Sequence, residues 1–138
     1  LPRGPGAAPG VEPVSRGPEQ LVFGLPGNPA SSMVSFELFV RPALRRLLGL
    51  DAAALLRPLA PVRLLEPILP DRSRLHFMRA LVSRSVEEPA VLLGRAPRHQ
   101  GSGMLRSMVG VNALLHVPPG PAALPAGATV FASLLQPV

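Results

Sequence analysis

Apolar residues recur at helical spacing in one long stretch near the start of the chain. Residues 29–48 place five apolar side chains on one side: Met33, Phe36, Val40, Leu44 and Leu47. Charged side chains fall on the opposite side: Glu37, Arg41 and Arg45. This spacing predicts an amphipathic helix over residues 29–48, which Gly49 is suited to end. Pro42 lies within the pattern and is expected to kink or split the helix, because proline cannot donate a backbone hydrogen bond.

A second apolar run lies just before this helix, in Leu21-Val-Phe-Gly-Leu-Pro-Gly-Asn-Pro29. Residues 20–25 are predicted as a short buried strand. The turn and helix-start residues that follow are Pro26, Gly27, Asn28 and Pro29. A helix that starts in this way can present its first N–H groups and its positive dipole end to a phosphate. On the turn alone, a plain strand–turn–helix corner is the preferred interpretation.

Beyond Pro58 the pattern changes to short strands separated by prolines and glycines. Five strands are predicted, over residues 62–66, 74–83, 90–93, 113–117 and 129–135. Short helical turns are predicted over residues 52–56, with Asp51 in the capping position, and over residues 104–108. The fold class is therefore an α/β fragment (strand, turn and long helix) followed by a small, mostly β, barrel-like domain. We place the boundaries at residues 1–49, a linker at 50–58, and residues 59–138.

Composition narrows the class of protein. Hydrophobic residues make up 47% of the chain and aromatic residues only 4%, so a core must rest on Leu, Val, Ala and Met. The absence of cysteine excludes disulfides, thiolate metal sites and a cysteine nucleophile. No apolar run approaches the length of a membrane span, and no signal peptide is recognisable. We therefore predict a soluble, cytoplasmic protein that does not bind a membrane.

The net charge of +6 comes entirely from arginine, because all fourteen basic residues are arginines. Arginine binds phosphate in a bidentate manner, which is compatible with a nucleic-acid partner. These arginines are, however, scattered along the chain and are not interleaved with aromatic residues. We therefore interpret them as a solvated surface and predict no nucleic-acid partner.

Two positions in the second half are candidates for anion binding. Alternation along residues 74–83 places Arg79 on the more apolar face of its strand, where a guanidinium needs a partner. A snorkelling side chain or a bulge is the alternative explanation. In the loop at residues 100–103, Gly101 allows close backbone approach and Ser102 carries a hydroxyl donor, although an ordinary loop has the same composition. Arg106 follows one turn later. The three histidines have no partners at ligand spacing, and no metal site is predicted.

Three blocks of sequence resemble a known family. Residues Phe23-Gly-Leu-Pro-Gly-Asn-Pro-Ala-Ser-Ser through Phe39-Val-Arg-Pro-Ala-Leu-Arg-Arg-Leu-Leu-Gly49 closely resemble the MoeA-type molybdopterin molybdenumtransferases, which include the C-terminal domain of gephyrin. The block from His99 to Pro118 and the strand Arg74-Leu-His-Phe-Met-Arg-Ala80 are similar to later parts of the same family. Family members are about three times as long or more. The resemblance and the initial Leu1 therefore indicate a truncated chain that holds only the C-terminal part and is inactive in isolation.

The resemblance implies a function for the complete enzyme. It would insert molybdate into adenylylated molybdopterin with release of AMP, with Mg²⁺ held by ligands outside this chain. The substrate-binding residues implied here are Pro26, Gly27, Asn28, Pro29, Arg79, Gly101 and Ser102. The C-terminal domain would complete the cleft of a partner subunit in a homodimer. The alternative is a non-catalytic dimerisation or binding module of the same family.

Overall fold

Five β-strands lie beyond residue 58 in the computed structural model, which describes residues 21–96, 109–120 and 122–138. In chain order they are β1 (Leu59–Leu64), β2 (His76–Arg84), β3 (Leu92–Arg95), β4 (Ala113–Val117) and β5 (Thr129–Leu134). They close into a barrel in the order β1–β3–β2–β4–β5, and β5 pairs back with β1. Only the β1–β3 pair is parallel among these pairings. The predicted small barrel is confirmed, and each predicted strand overlaps an observed one.

Alternating side chains of the strands fill the barrel. The fully buried interior positions include Val62, Ala80, Ala113, Leu115, Val117 and Ala132. Gly94 in β3 belongs to this interior because a Cβ at that position would lie 2.6 Å from Cγ1 of Val62. The interior of a five-stranded barrel is narrow, which accounts for the alanines and the glycine among its lining residues.

The predicted helix is present as three consecutive segments. They are α1 (Pro29–Ser35), a π-helical segment (Phe36–Val40) and α2 (Arg41–Leu47). The N–H of Arg41 donates to the carbonyl of Phe36, a five-residue step. Pro42 thus alters the hydrogen-bond register just before it and does not break the helix. At the other end Gly49 adopts φ 79°, and its N–H donates to the carbonyl of Arg46, as predicted for a helix-ending glycine.

The predicted apolar side of this helix is correct at Met33 and Val40 and wrong at Phe36 and at the positions after Val40. Met33 and Val34 pack against a second buried cluster, formed outside the barrel by Val111, Leu114 and Leu135. Leu44 and Leu47, by contrast, are exposed. The longer π-turn shifts the angular position of every residue that follows, so a single stripe of 3.6-residue period does not continue along the helix.

The predicted buried strand over residues 20–25 is also wrong for the residues that the structure describes. Residues 21–26 have no regular secondary structure, and the side chain of Val22 is 91% exposed. A strand needs a neighbour for its backbone N–H and C=O groups, and none of the five described strands pairs with this segment.

The linker between helix and barrel contains a short helix, α3 (Ala52–Leu55), as predicted. The side chain of Asp51 makes no capping hydrogen bond to it, contrary to its predicted role. Within the described ranges, no helix combines the length and the apolar character needed to cross a membrane.

Candidate functional site

A cavity of about 520 Å³ lies between the first turns of the long helix and strand β2. The α1 side consists of Ala30, Ser31, Val34 and Ser35, and the β2 side of Arg74, Leu75, His76, Phe77 and Arg79. Small residues on the helix leave the space open, and polar groups face it from both sides. The cavity therefore brings hydroxyl groups and guanidinium groups of distant parts of the chain to one place.

Arg79 is the buried charged residue of this cavity, with only 4% of its surface exposed. The side chains that alternate with Arg79 along β2 face the barrel interior; they are Met78, Ala80 and Val82. Arg79 therefore lies on the outer face of the strand, where it is paired in register with Leu114. The predicted alternation is correct, and Arg79 is buried on the outer face of the barrel, beside the cavity that α1 lines from the other side.

The start of α1 is capped by its own side chain. Oδ1 of Asn28 accepts hydrogen bonds from the N–H groups of Ala30 at 3.1 Å and Ser31 at 3.4 Å. The N–H of Ser32 donates to the carbonyl of Asn28, and Pro29 has no N–H to offer. Asn28 is thus the predicted N-cap, and its side chain accepts hydrogen bonds from two of the first N–H groups of the helix. Binding of an anion at this corner stays a prediction.

The predicted corner residues do not line the cavity. The carbonyl of Pro26 accepts a hydrogen bond from the hydroxyl of Ser32. Pro26, Gly27, Asn28 and Pro29 lie immediately before the lining residues of α1 and are absent from the cavity wall. Their visible contribution is to set where the helix begins and hence which residues follow on its cavity side.

Two serines of the cavity were missed by the sequence reasoning. Ser31 and Ser35 are four residues apart in α1, a spacing that places both hydroxyl groups on one side of a helix. The signal that could have found them is this pair of small polar residues in the helix that follows a Pro/Gly corner. In isolation such a pair is also typical of a helix surface.

A second cavity of about 410 Å³ adjoins the first and shares Arg74, Leu75 and His76 with it. Asp71 lines its far side and lies 3.6 Å from the guanidinium of Arg74. The N–H and hydroxyl of Ser73 donate to the Asp71 carboxylate, and these hydrogen bonds lower the pKa of Asp71. The groove formed by the two cavities is thus lined by one carboxylate, that of Asp71, and by the two arginines Arg74 and Arg79.

Phe77 closes the inner side of the first cavity and contacts the next strand. Its ring lies edge-on to that of His116, with centroids 4.8 Å apart. Nε2 of His116 is 2.9 Å from the hydroxyl of Ser133 in β5. Burial lowers the pKa of His116, so the neutral imidazole is favoured there.

The remaining predicted site residues, Gly101 and Ser102, lie outside the described residues, as do Arg106 and the predicted turn at residues 104–108. Among residues 21–96, 109–120 and 122–138, no three His, Asp or Glu side chains are grouped as a metal site.

Comparison with known proteins identifies the barrel. Residues 61–135 match the sequence model of the MoeA C-terminal region (domain IV). The chain is 37% identical to gephyrin of Dictyostelium discoideum over 122 residues, which cover 86% of this chain and 17% of that protein. It is 33% identical over 114 residues to molybdopterin molybdenumtransferase 2 of Mycobacterium tuberculosis, covering 83% of this chain and 26% of that protein. The chain thus spans well under a third of the length of either relative.

Solved structures support the same assignment. A molybdopterin biosynthesis MoeA protein from Pyrococcus horikoshii is similar with a TM-score of 0.62 and 25% sequence identity, covering 78% of this chain and 26% of that one. The family suggested by the three sequence blocks is therefore confirmed. The chain belongs to the MoeA C-terminal region (domain IV) family, within the proteins of molybdenum cofactor biosynthesis.

Proposed function

We propose that this chain is the C-terminal part of a molybdopterin molybdenumtransferase, in which it contributes an oxyanion-binding wall to the active site. The reaction of the whole enzyme would be insertion of molybdate into adenylylated molybdopterin with release of AMP. The observation that carries the proposal is a nearly buried guanidinium, that of Arg79, lining a cavity together with two serine residues. Family membership supports the nature of the substrates.

The chemistry of the cavity suits a tetrahedral oxyanion. A guanidinium presents paired N–H donors to two oxygens of such an anion, and its charge persists at every physiological pH. The hydroxyls of Ser31 and Ser35 can donate to the remaining oxygens from the opposite wall. Molybdate and the phosphates of the adenylylated pterin share this geometry, and both are substrates in the proposed reaction.

Magnesium does not fit the residues that line this groove. Mg²⁺ prefers several oxygen ligands, chiefly carboxylates and phosphate oxygens. Asp71 is the one carboxylate among the residues lining the two cavities, and it is engaged by Ser73 and Arg74. In the proposed enzyme the ligands of Mg²⁺ would therefore lie in other parts of the protein.

The domain assignment stays a proposal as well. Residues 1–49 would be the C-terminal tail of an α/β domain that binds molybdopterin, residues 50–58 a linker, and residues 59–138 the barrel-like domain. A homodimer would place the cavity of one subunit beside the pterin site of the other. A non-catalytic binding module is the alternative, favoured by the exposed apolar residues Phe39, Leu47 and Leu48.

An NMR titration with molybdate tests the oxyanion role directly. Sodium molybdate is added to the ¹⁵N-labelled chain while the side-chain Nε–H signal of Arg79 and the amides of Ser31 and Ser35 are followed. We expect saturable shifts at these positions and a loss of affinity of at least tenfold in Arg79→Gln. Arg46→Gln, which changes an exposed arginine of α2, is the matched control and should bind as the unmodified chain does. Equal affinity of both variants would exclude our role for Arg79.

The binding-module alternative makes the opposite prediction. The binding module would be favoured by two results together. The chain would form stable dimers in analytical ultracentrifugation, and the NMR signal of Arg79 would not shift on addition of molybdate or phosphate.

A further inference from the structure

The long helix is tied to the linker by an ion pair that the proposed chemistry does not use. Nε of Arg57 donates to Oε2 of Glu37 at 2.8 Å, and Nη2 of Arg57 donates to Oε1 at 2.9 Å. The side chain of Glu37 is only 12% exposed. Paired donors that meet both oxygens of one carboxylate fix orientation as well as distance, and partial burial limits screening by solvent.

Two further arginines strengthen this connection. Nη1 of Arg41 donates to the carbonyl of Leu55 at 3.0 Å, and Nε of Arg45 donates to the carbonyl of Ala54 at 2.6 Å. Arg41 also lies 3.8 Å from the Glu37 carboxylate. Glu37, Arg41 and Arg45 follow each other at intervals of four residues, so one side of the helix faces residues 54–57 throughout. We call this set, with Arg57, the linker clamp.

Apolar burial along the helix ends at Val40, the last buried residue before α2. Neither α2 nor α3 contains a buried residue. The contacts of the helix with the buried cluster outside the barrel come from Met33 and Val34, both in α1. A helix held along such a short stretch can roll about its own axis, because side chains of similar size can exchange places beneath it. The linker clamp opposes this roll.

The roll matters because the cavity wall is on the same helix. Ser35 lies two residues before Glu37, and a rigid helix transmits a rotation at Glu37 to Ser35 and Ser31. Arg79 lies on β2, in the barrel, and not on the helix. We propose that Glu37 and Arg57 are positioning residues that fix the rotation of α1, and thereby the distance between the serine hydroxyls and the guanidinium of Arg79.

The consequence for ligand binding rests on the proposed function. Donors on opposite walls can meet one oxyanion together only if their separation matches its size, and small displacements in such sites carry large losses. Breaking the Glu37–Arg57 pair should therefore weaken oxyanion binding although neither residue lines the cavity.

Distance measurements by electron paramagnetic resonance test the positional part without reference to any ligand. The chain has no cysteine, so spin labels can be attached at Phe39→Cys on the helix and Val86→Cys on the barrel, both of which are exposed positions. We expect one narrow distance distribution, which broadens or splits in Glu37→Gln and in Arg57→Gln. The double variant should be no broader than either single one, because both changes remove the same interaction. Arg63→Gln, which breaks the exposed pair with Glu88, is the matched control and should leave the distribution narrow.

The molybdate titration then tests the functional part. We expect Glu37→Gln to raise the dissociation constant for molybdate about tenfold while the thermal midpoint of the barrel stays unchanged, a combination that a general loss of stability would not produce. If Glu37→Gln does not fold, Glu37→Asp, which keeps the charge at a shorter reach, replaces it in both measurements. Unchanged distances in both single variants would overturn the positioning role.

The two proposals can fail separately. If the variants broaden the distance distribution but the unmodified protein does not bind molybdate, the positioning role stands and the proposed function is wrong. If the unmodified protein binds molybdate and Glu37→Gln binds it with the same affinity, the proposed function stands and the positioning role is wrong.

Discussion

The barrel and the helical region before it are held in place by different forces. The barrel buries a continuous apolar core with fully enclosed Leu115, Val62 and Val117, and each strand has two hydrogen-bonded neighbours. Residues 21–49 bury few side chains and leave Leu47 67% exposed. They are held by polar contacts with the linker. The barrel is therefore held together by its own apolar core, whereas the orientation of the helix depends on a few specific hydrogen bonds.

This difference separates stability from function along the chain. Apolar burial is tolerant of small changes in angle, so it suits a scaffold. Bidentate ion pairs and backbone caps define angles, so they suit a wall that must face Arg79 at a fixed distance. We expect substitutions in the barrel to reduce stability and substitutions in the helical region to alter binding at nearly constant stability.

The largest effect should come from truncating the core. Leu115→Ala removes a side chain with 0% exposure and should lower the free energy of unfolding by about 2–5 kcal/mol, because a cavity remains in the packed interior. Leu47→Ala removes the same atoms from an exposed helix position and should change it by less than about 0.5 kcal/mol. Urea denaturation followed by circular dichroism measures both. Similar losses in the two variants would contradict the division between the regions.

A smaller loss of stability is expected where Gly94 lies against Val62 inside the barrel. Gly94→Ala places a methyl group against Val62, whose branched side chain cannot move away easily, and should cost about 1–3 kcal/mol. Gly24→Ala is the control in the helical region, since nothing lies within 4 Å of the added atom. In the double variant with Val62→Ala, the loss should be smaller than the sum of the two single losses, because the added methyl group then meets a shorter side chain. Additive losses would mean that backbone strain and not this contact is responsible.

The helix cap gives an effect of about 1 kcal/mol. Asn28→Ala removes the acceptor for two N–H groups of α1 and should lower stability by roughly that amount, while Asn28→Ser should retain most of it. Because Oδ1 of Asn28 faces its own helix, we expect only a small change in molybdate affinity. A large loss of affinity in Asn28→Ser, with the helix intact, would show that the corner contacts the anion directly.

The smallest effect concerns pH. Burial lowers the pKa of His116 below the value of about 6.5 expected for the unfolded chain. The unfolded chain then binds the proton more readily, so the free energy of unfolding should fall as pH decreases from about 6.5 through the lower pKa of the folded chain. Above that range His116 contributes no slope. Thermal midpoints measured between pH 5 and 8 should show this slope, and His116→Gln should remove it.

Much of the barrel could be predicted because the residues that end its strands are recognisable from the local sequence. Prolines and glycines bound short apolar runs, and the predicted strand at residues 113–117 coincides with β4. The inner face of β2 was less evident. Ala80 and Ala113 fill the interior but are only weakly hydrophobic. The opposite face of β2 and the residue before it carry the larger apolar side chains Leu75, Phe77 and Leu81, although Leu75 and Leu81 are exposed. A narrow barrel selects small residues inside, and a count of apolar character alone cannot reveal that.

The site was predictable only in part, for a similar reason. Asn28 as a cap and Arg79 as a buried guanidinium follow from residue type and alternation. That α1 covers the outer face of β2, and so brings Ser31 and Ser35 to Arg79, depends on contacts between segments some forty residues apart. The failed strand at residues 20–25 teaches the same lesson, since its formation depends on a pairing partner and not on its own sequence.

The closure of the barrel has a consequence for how the chain folds during synthesis. β1 is the first strand to be made, yet its antiparallel partner β5 is the last, and its other neighbour β3 is made after β2. In a nascent chain Val62, whose partner is Val130 in β5, therefore stays unpaired until most of the barrel sequence has left the ribosome. Protection of this strand from aggregation over that interval then becomes part of what the cell must provide for the protein.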